Sequence, residues 1–370
     1  MSSWRNYALK RRIYIIGAGS IANSHVQTIN KLPIDEVEVH VSDNNLVVLQ
    51  KFKERFPWVI PYQDAISMLA EPAWENDFVI VCTPPVSHCS MTIQALASGR
   101  HVLCEKPLAI NQEESLSMLA KARETGRLLG CCSPRFIGHC VTETMKSWVQ
   151  EQKFGRLYHV RWLYRGQGSR SGIVVGFDRS WCFDSKQSGG GVLMDWGPYD
   201  MTALNDILQP IQVDVLHAWM APPVSDAVLP EGAVLNVEFH VGASMIYHCQ
   251  DGSQVPVSFE RGHPAYASST KQFEFQGTEG AVELDWLDQD GLTYYYNDQG
   301  TVGVQRVPYV QDKNAPHMLE RPLFYFFQTV NGQPSPAVLN EQAVFNFNCL
   351  RAVYDCVRNR RAQSVRLEGL

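Results

Sequence analysis

The sequence predicts an α/β domain built on a doubly wound parallel sheet, followed by an α+β domain with a large, mostly antiparallel open sheet. Three observations predict it. In the first third of the chain, short continuous apolar runs alternate with segments of helical character, as in a parallel sheet buried on both faces. The first of these runs passes directly into a Gly-x-Gly-x-x-Ala turn. From about residue 156 onward the runs alternate with period two and are separated by turn residues, which is the pattern of antiparallel strands with one face covered.

Composition sets the bounds. A chain of 370 residues has room for about two or three domains. It is 45% hydrophobic and 19% charged, with 26 Gly and 20 Pro, so a sizeable core is expected. The formal net charge of −6 is modest, and no run of Lys or Arg is long enough to suggest a nucleic-acid or membrane partner. No apolar stretch approaches the ~20 residues needed to span a bilayer. The basic start before Ile13-Tyr14-Ile15-Ile16 faintly resembles a signal peptide, but that run is short and ends in glycine, so it is read as a buried strand. The ten cysteines contain no Cys-x-x-Cys pair, and the eleven histidines show no metal-ligand spacing. The cysteines read as small buried hydrophobes in a reducing compartment, with a cytoplasmic location and no metal expected.

Taken in order, the elements justify the first domain, placed at residues 1–131. After Ile13-Tyr14-Ile15-Ile16 comes Gly17-Ala18-Gly19-Ser20-Ile21-Ala22, then a helical segment to about Leu32. Gly17 permits a tight turn, Gly19 lets the backbone approach a pyrophosphate, and Ala22 lets the helix pack close to the strand. The phosphates would sit at the helix N-terminus opened by Ser20 and Ile21, where N–H groups and the helix dipole favour anions. The next strand, Val37-Glu38-Val39-His40-Val41, ends at Ser42-Asp43, about 20 residues beyond the glycine turn. A carboxylate there accepts hydrogen bonds from ribose hydroxyls and repels a 2′-phosphate, which favours NAD and leaves NADP open. The alternative is that Asp43 only caps the turn Asp43-Asn44-Asn45.

Phe78-Val79-Ile80-Val81-Cys82 is a buried-strand run that must leave the sheet at Thr83-Pro84-Pro85. Loops at such strand ends are where ligands bind, so Thr83, Pro84, His88, Glu105 and Lys106 are cofactor-binding candidates. A helix over 88–98 follows, beginning at His88. The strand His101-Val102-Leu103-Cys104 ends in Glu105-Lys106-Pro107, and Asn111 with Glu114 reads as a helix cap. Lys106, at the cofactor edge, could hydrogen-bond a substrate oxygen beside the nicotinamide. A surface lysine in a turn is the alternative.

These segments resemble the Gfo/Idh/MocA family of oxidoreductases. Gly17-Ala18-Gly19 resembles its cofactor turn, Thr83-Pro84 followed by His88 its third-strand loop, and Glu105-Lys106-Pro107 its signature lysine segment. Arg135-Phe136 resembles the start of its second domain. Gly189-Gly190-Gly191 followed by Asp195-Trp196-Gly197-Pro198-Tyr199 resembles its catalytic helix, and Gly277-Thr278-Glu279-Gly280 its late-sheet turn. The resemblance runs from about residue 12 to 368. Most of the family has His where this chain has Tyr199; tyrosine there is similar to the glucose–fructose oxidoreductase and dimeric dihydrodiol dehydrogenase branch. The family's frequent Asp three residues further on is Thr202 here. The resemblance implies a homo-oligomer, dimer or tetramer, formed through the second sheet.

The second domain is placed at 132–370. Leu157-Tyr158-His159-Val160-Arg161-Trp162-Leu163-Tyr164, Val234-Leu235-Asn236-Val237-Glu238-Phe239, Phe273-Glu274-Phe275, Val282-Glu283-Leu284-Asp285 and Leu292-Thr293-Tyr294-Tyr295-Tyr296 are its strand candidates. Residues 165–176 and 310–317 read as loops. Asp195 and Tyr199 share a face if their helix is continuous. Pro198 either kinks that helix or opens it at its first turn.

The chemistry implied is hydride transfer between nicotinamide and a CH–OH carbon of a sugar, sugar derivative or cyclitol. Lys106 would stabilise charge on the reacting oxygen. Tyr199 would give or take the proton, its value of about 10 lowered by the lysine, and Asp195 would orient them. Arg135, Tyr164, Trp181 and Asp200 are candidates to line the substrate pocket, with packing or a surface ion pair as the alternative for each. Other readings are a reductase of a trans-diol or dicarbonyl, a redox-assisted elimination, and a cofactor-binding sensor or co-regulator without turnover.

Overall fold

The computed structural model describes residues 10–168, 181–221, 234–284, 291–308 and 315–370. The chain opens with β1 (Lys10–Ile16), α1 (Ser20–Ile29), β2 (Glu36–Ser42), α2 (Leu46–Arg55), β3 (Ile60–Tyr62), α3 (Ala65–Leu69), β4 (Phe78–Val81), α4 (His88–Ala97), β5 (His101–Cys104), α5 (Gln112–Thr125) and β6 (Leu129–Cys131). It continues with α6 (Cys140–Gln150), β7 (Leu157–Gln167), α7 (Ser185–Ser188), α8 (Val192–Leu208), β8 (Pro210–Ala221), β9 (His240–Cys249), β10 (Gln254–Ala265), β11 (Thr270–Gly277), β12 (Gly280–Leu284), β13 (Leu292–Asp298) and β14 (Thr301–Val307). It closes with α9 (Arg321–Val330), α10 (Asn340–Asn359) and β15 (Gln363–Arg366).

The first compact unit takes Met1–Ala109, Glu113–Arg135 and Pro316–Ala343. The last of these segments was assigned to the second domain by the cut expected after residue 131. Its sheet runs β3-β2-β1-β4-β5-β6, every pair parallel. This is the doubly wound order, with the topological switch between β1 and β4. Ile13, Ile15, Phe78 and Ile80 are fully buried in its core, as continuous apolar runs require when both faces are covered. α9 belongs to this core through Leu323, Phe326 and Phe327. A side chain at Gly130 would meet the Phe326 ring at 2.6 Å, so α9 can seat there only against glycine.

The second unit takes Ile110–Gln112, Phe136–Ala315 and Val344–Leu370. Among the described residues its sheet has the order β14-β13-β12-β11-β7-β10-β9-β8-β15. β7 and β10 pair in parallel; the other pairs are antiparallel. Trp162 on β7 is fully buried, its ring edge-on to Phe273 of β11 at 4.9 Å. α8 packs on this sheet: the Trp162 indole N–H donates to Asp200 Oδ1 at 2.8 Å.

Two expectations are corrected. Residues 234–239 are not a strand, because their polar groups go to the segment before α8: the Asn236 N–H donates to Phe183 O, the Ser185 N–H to Asn236 Oδ1 and the Val192 N–H to Glu238 O. Residues 165–167, expected in a loop, extend β7 because β10 and β11 continue to pair with them; 169–176 lie outside the described residues. Of the two readings of Pro198, opening the helix is excluded: α8 begins at Val192 and runs unbroken through the proline. Of the expected loop at 310–317, residues 310–314 lie outside the described residues. No helix among the described residues is long and apolar enough to cross a membrane.

Candidate active site

The first unit builds a dinucleotide edge at the carboxyl ends of β1 and β4. Gly17 has φ +97°, and a Cβ there would lie 2.9 Å from the Cys82 carbonyl carbon and oxygen. Glycine alone combines that backbone with that approach. Gly19 caps α1 without any side-chain hydrogen bond, and the space its Cβ would enter is open. Ser20, exposed, and Ile21, half-buried, begin the helix. Asp43 caps the turn, as one of its two readings expects, and also holds the glycine turn. Its Oδ2 accepts the Ala18 N–H at 2.8 Å, tying β2 to the glycine turn, and its Oδ1 accepts the Asn45 N–H at 2.8 Å, capping the turn. The Thr83 hydroxyl is buried with no hydrogen-bond partner among the described residues, and Pro84 precedes a single helical turn. An open glycine cradle, an uncapped helix start and an orphaned hydroxyl on adjacent strand ends fit a bound dinucleotide.

His88 is 1% exposed, with Nε2 against Thr83 O and Nδ1 against Pro107 O, both at 2.8 Å. It staples the loop after β4 to the loop after β5. Burial pulls its pKa below the ordinary imidazole value, against the two carbonyls.

Lys106 stands half-buried just beyond β5. Glu105 before it is buried; its Oε1 meets His25 Nε2 at 2.8 Å, and its Oε2 accepts the Lys106 N–H at 3.1 Å. Burial would raise the Glu105 pKa, but the hydrogen bond and charge of His25, with Arg135 and Lys106, bring it down to about 2. Arg135 is half-buried, and its carbonyl accepts from the Arg321 guanidinium at 2.9 Å.

The second unit presents α8. Gly189 ends α7 in the left-handed region at φ +82°. A Cβ on Gly191 would lie 1.9 Å from Glu238 O. The Glu238 carboxylate accepts from Gly191 N at 2.9 Å, Leu193 N at 3.0 Å and the Tyr354 hydroxyl at 2.7 Å. Burial pushes the pKa of Glu238 up, against those donors. Asp195 is exposed in the first turn of α8. Tyr199, on the same face, is 3% exposed. Its ring stands edge-on to Phe136 at 5.7 Å and Trp196 at 5.8 Å. Asp200 is fully buried and binds Trp162 and Arg261, so it anchors the helix. The Arg261 guanidinium lies 4.5 Å over the Tyr164 ring. Trp181 is half-buried in a helical turn ahead of α7.

His25, Glu238 and Arg261 were missed in the sequence. Glu238 sat in a run read as a strand. His25 and Arg261 carried no spacing signal, since their partners lie 80 and 61 residues away. The buried Cys131 and Cys349 thiols are pushed up to about 12 by burial, as expected of thiols used as hydrophobes.

Comparison with known proteins agrees with this architecture. The family profile described as "Oxidoreductase family, NAD-binding Rossmann fold" matches residues 11–132, and "GFO/IDH/MocA C-terminal domain" matches residues 142–283. The chain is 23% identical over 297 residues to the 1,5-anhydro-D-fructose reductase of Ensifer adhaerens, covering 78% of this chain and 80% of that protein. It is 28% identical over 265 residues to the trans-1,2-dihydrobenzene-1,2-diol dehydrogenase of Mus musculus, covering 70% and 72%. The solved structure of levoglucosan dehydrogenase in complex with NADH and levoglucosan has the same fold, with a TM-score of 0.78 at 19% identity over 96% of this chain and 99% of that one. The chain belongs to the Gfo/Idh/MocA family of NAD-binding oxidoreductases.

Proposed function

We propose that this protein moves a hydride between nicotinamide and a CH–OH carbon of a sugar, sugar derivative or cyclitol, with Lys106, Asp195 and Tyr199 as its catalytic residues. The observation that carries the reading is the unbroken α8, which puts an exposed carboxylate and a tyrosine boxed by aromatic rings four residues apart on one face. NAD, held by Gly17, Gly19, Ser20, Ile21, Asp43, Thr83 and Pro84, supplies the hydride chemistry when bound. Lys106 hydrogen-bonds the reacting oxygen and stabilises the charge developing on it. Tyr199 takes or returns the hydroxyl proton. Asp195 keeps the lysine charged. Arg135, Tyr164 and Trp181 orient the substrate, while His88, Glu105 and Asp200 position the catalytic segments.

The relatives acting on an anhydro-sugar and a glucoside support a carbohydrate substrate. The mouse diol dehydrogenase, together with Tyr199, favours a trans-diol as the second reading. The protein works as a homo-oligomer, dimer or tetramer, that covers the exposed Ile211, Leu216 and Trp219 of β8; light scattering reads its mass directly. The activity test follows NADH absorbance with NAD⁺ or NADP⁺ and levoglucosan, methyl glucoside, myo-inositol or a trans-dihydrodiol, and in reverse with NADH and 1,5-anhydrofructose. Turnover of a sugar that falls by ~10³-fold or more in Lys106→Ala supports the reading. Turnover confined to the diol moves the second reading ahead. Undiminished turnover in Lys106→Ala overturns the assignment of the lysine.

A further inference from the structure

Beneath the proposed cofactor edge lies a buried polar chain whose first member, His25, the catalytic reading does not use. His25 projects from α1 and is 3% exposed; Glu105, at the end of β5, is 5% exposed. Their 2.8 Å contact joins residues 80 apart in sequence. The second Glu105 oxygen accepts the main-chain N–H of Lys106. Among the described residues the titratable and charged groups that feel this carboxylate are His25 from α1, Cys82 beyond β4, His88 from α4, Cys104 of β5, Cys131 of β6, and Lys106, Cys132 and Arg135. A buried carboxylate persists only if its oxygens are satisfied, and the His25 side chain engages Oε1 in this arrangement.

We propose that His25 is a positioning residue for hydride transfer: by engaging Glu105 it holds that carboxylate ionised against the Lys106 N–H, and so fixes the backbone and the charge partner of the lysine at the end of β5. The proposal rests on the reading of Lys106 as catalytic and deepens it. Without His25, Glu105 takes up a proton or leaves its place, and Lys106 loses both a backbone anchor and a nearby negative charge that favours its ammonium form.

The test needs no substrate. The full chain, free of cofactor, is labelled with acetic anhydride across a pH series, and acetylation of Lys106 is read by mass spectrometry against the exposed Lys51. The variants are His25→Leu, His25→Gln and Glu105→Gln; the glutamine amide at 25 keeps a donor near the place of Nε2. Relative to Lys51, Lys106 labels about threefold to tenfold faster at a given pH in His25→Leu and Glu105→Gln, as the loss of the nearby negative charge leaves less of it in the ammonium form. His25→Gln returns it to the wild-type rate. If His25→Leu does not fold, Glu105→Gln and His25→Gln carry the comparison. Equal labelling of Lys106 in all folded variants overturns the proposal, as does a His25→Gln that labels like His25→Leu. Where a sugar turns over, kcat falls about tenfold in His25→Leu with KM and NADH affinity within about twofold; a loss confined to NADH affinity overturns it. If labelling follows the expected order while Lys106→Ala turns over like wild type, the coupling stands and the catalytic reading falls.

Discussion

Glu238 caps the helix that begins beside Gly191. Its carboxylate accepts the Gly191 N–H at 2.9 Å, and its own carbonyl stands 1.9 Å from where a Cβ at 191 would be. Helix starts leave N–H groups without intrahelical partners, and here the acceptor comes from a residue 47 positions away. Gly191→Ala therefore forces backbone against backbone, and a loss of at least about 3 kcal/mol is expected. Glu238→Ala strips three donors of their acceptor and costs about 2–4 kcal/mol. Urea unfolding measures both. A Gly191→Ala chain as stable as wild type would show that the carbonyl can withdraw.

Asp200 and Arg261 form a fully buried ion pair that holds α8 to β10, with the Trp162 N–H as a third partner. Asp200→Ala leaves the guanidinium buried and uncompensated, at a cost of about 3–5 kcal/mol. Adding Arg261→Met removes the orphaned charge, and the double variant should recover more than half of that loss. The thermal midpoints of the three chains decide it; strict additivity would mean that the two residues do not act as a pair.

The pH dependence of stability has a sign fixed by Glu105. Its folded pKa, about 2, lies below the unfolded value of about 4.3. The carboxylate therefore contributes stability that is fully present above about pH 4.3 and is lost as pH falls through about 2. That share is up to about 3 kcal/mol. Unfolding free energies measured down this range should fall more steeply with acid in wild type than in Glu105→Gln; parallel slopes would remove Glu105 from the account.

The glycine turn and Asp43 are the proposed cofactor contacts. Gly17→Ala should weaken NADH binding at least about tenfold, because its Cβ would strike the Cys82 carbonyl at 2.9 Å from a backbone at φ +97°. Asp43→Asn keeps a cap for the Asn45 N–H but removes the charge that repels a 2′-phosphate. Its NADH-to-NADPH preference should fall by about tenfold. Tryptophan fluorescence titration reads both constants, and an unchanged ratio would reduce Asp43 to its turn-capping hydrogen bonds.

Tyr199→Phe removes one oxygen and leaves the ring between Phe136 and Trp196. A fall of about 10²-fold or more in kcat with unchanged NADH affinity is expected. A kcat that keeps its value and its pH profile would give the proton to another group.

The first unit was legible because its information is local. A buried parallel strand is written as a short run of consecutive apolar residues, a strand nearer the edge of the sheet as alternating valines, and a phosphate turn as glycines at fixed offsets, so β1, β4 and β5, then β2, and the Gly17–Gly19 turn followed from the chain itself. The fourfold spacing of Asp195 and Tyr199 was equally visible. Only the folded chain decided that Pro198 sits inside one helix, because that helix is secured from outside, by Glu238 at its start and by Trp162 and Arg261 at Asp200. Only the fold returned Pro316–Ala343 to the first unit, where Phe326 seats against Gly130. His25 and Glu105 belong to the same class. A hydrogen bond between groups 80 residues apart leaves no periodicity in the sequence, because what selects it is the cost of burying a carboxylate without a partner, and burial exists only once the chain has folded.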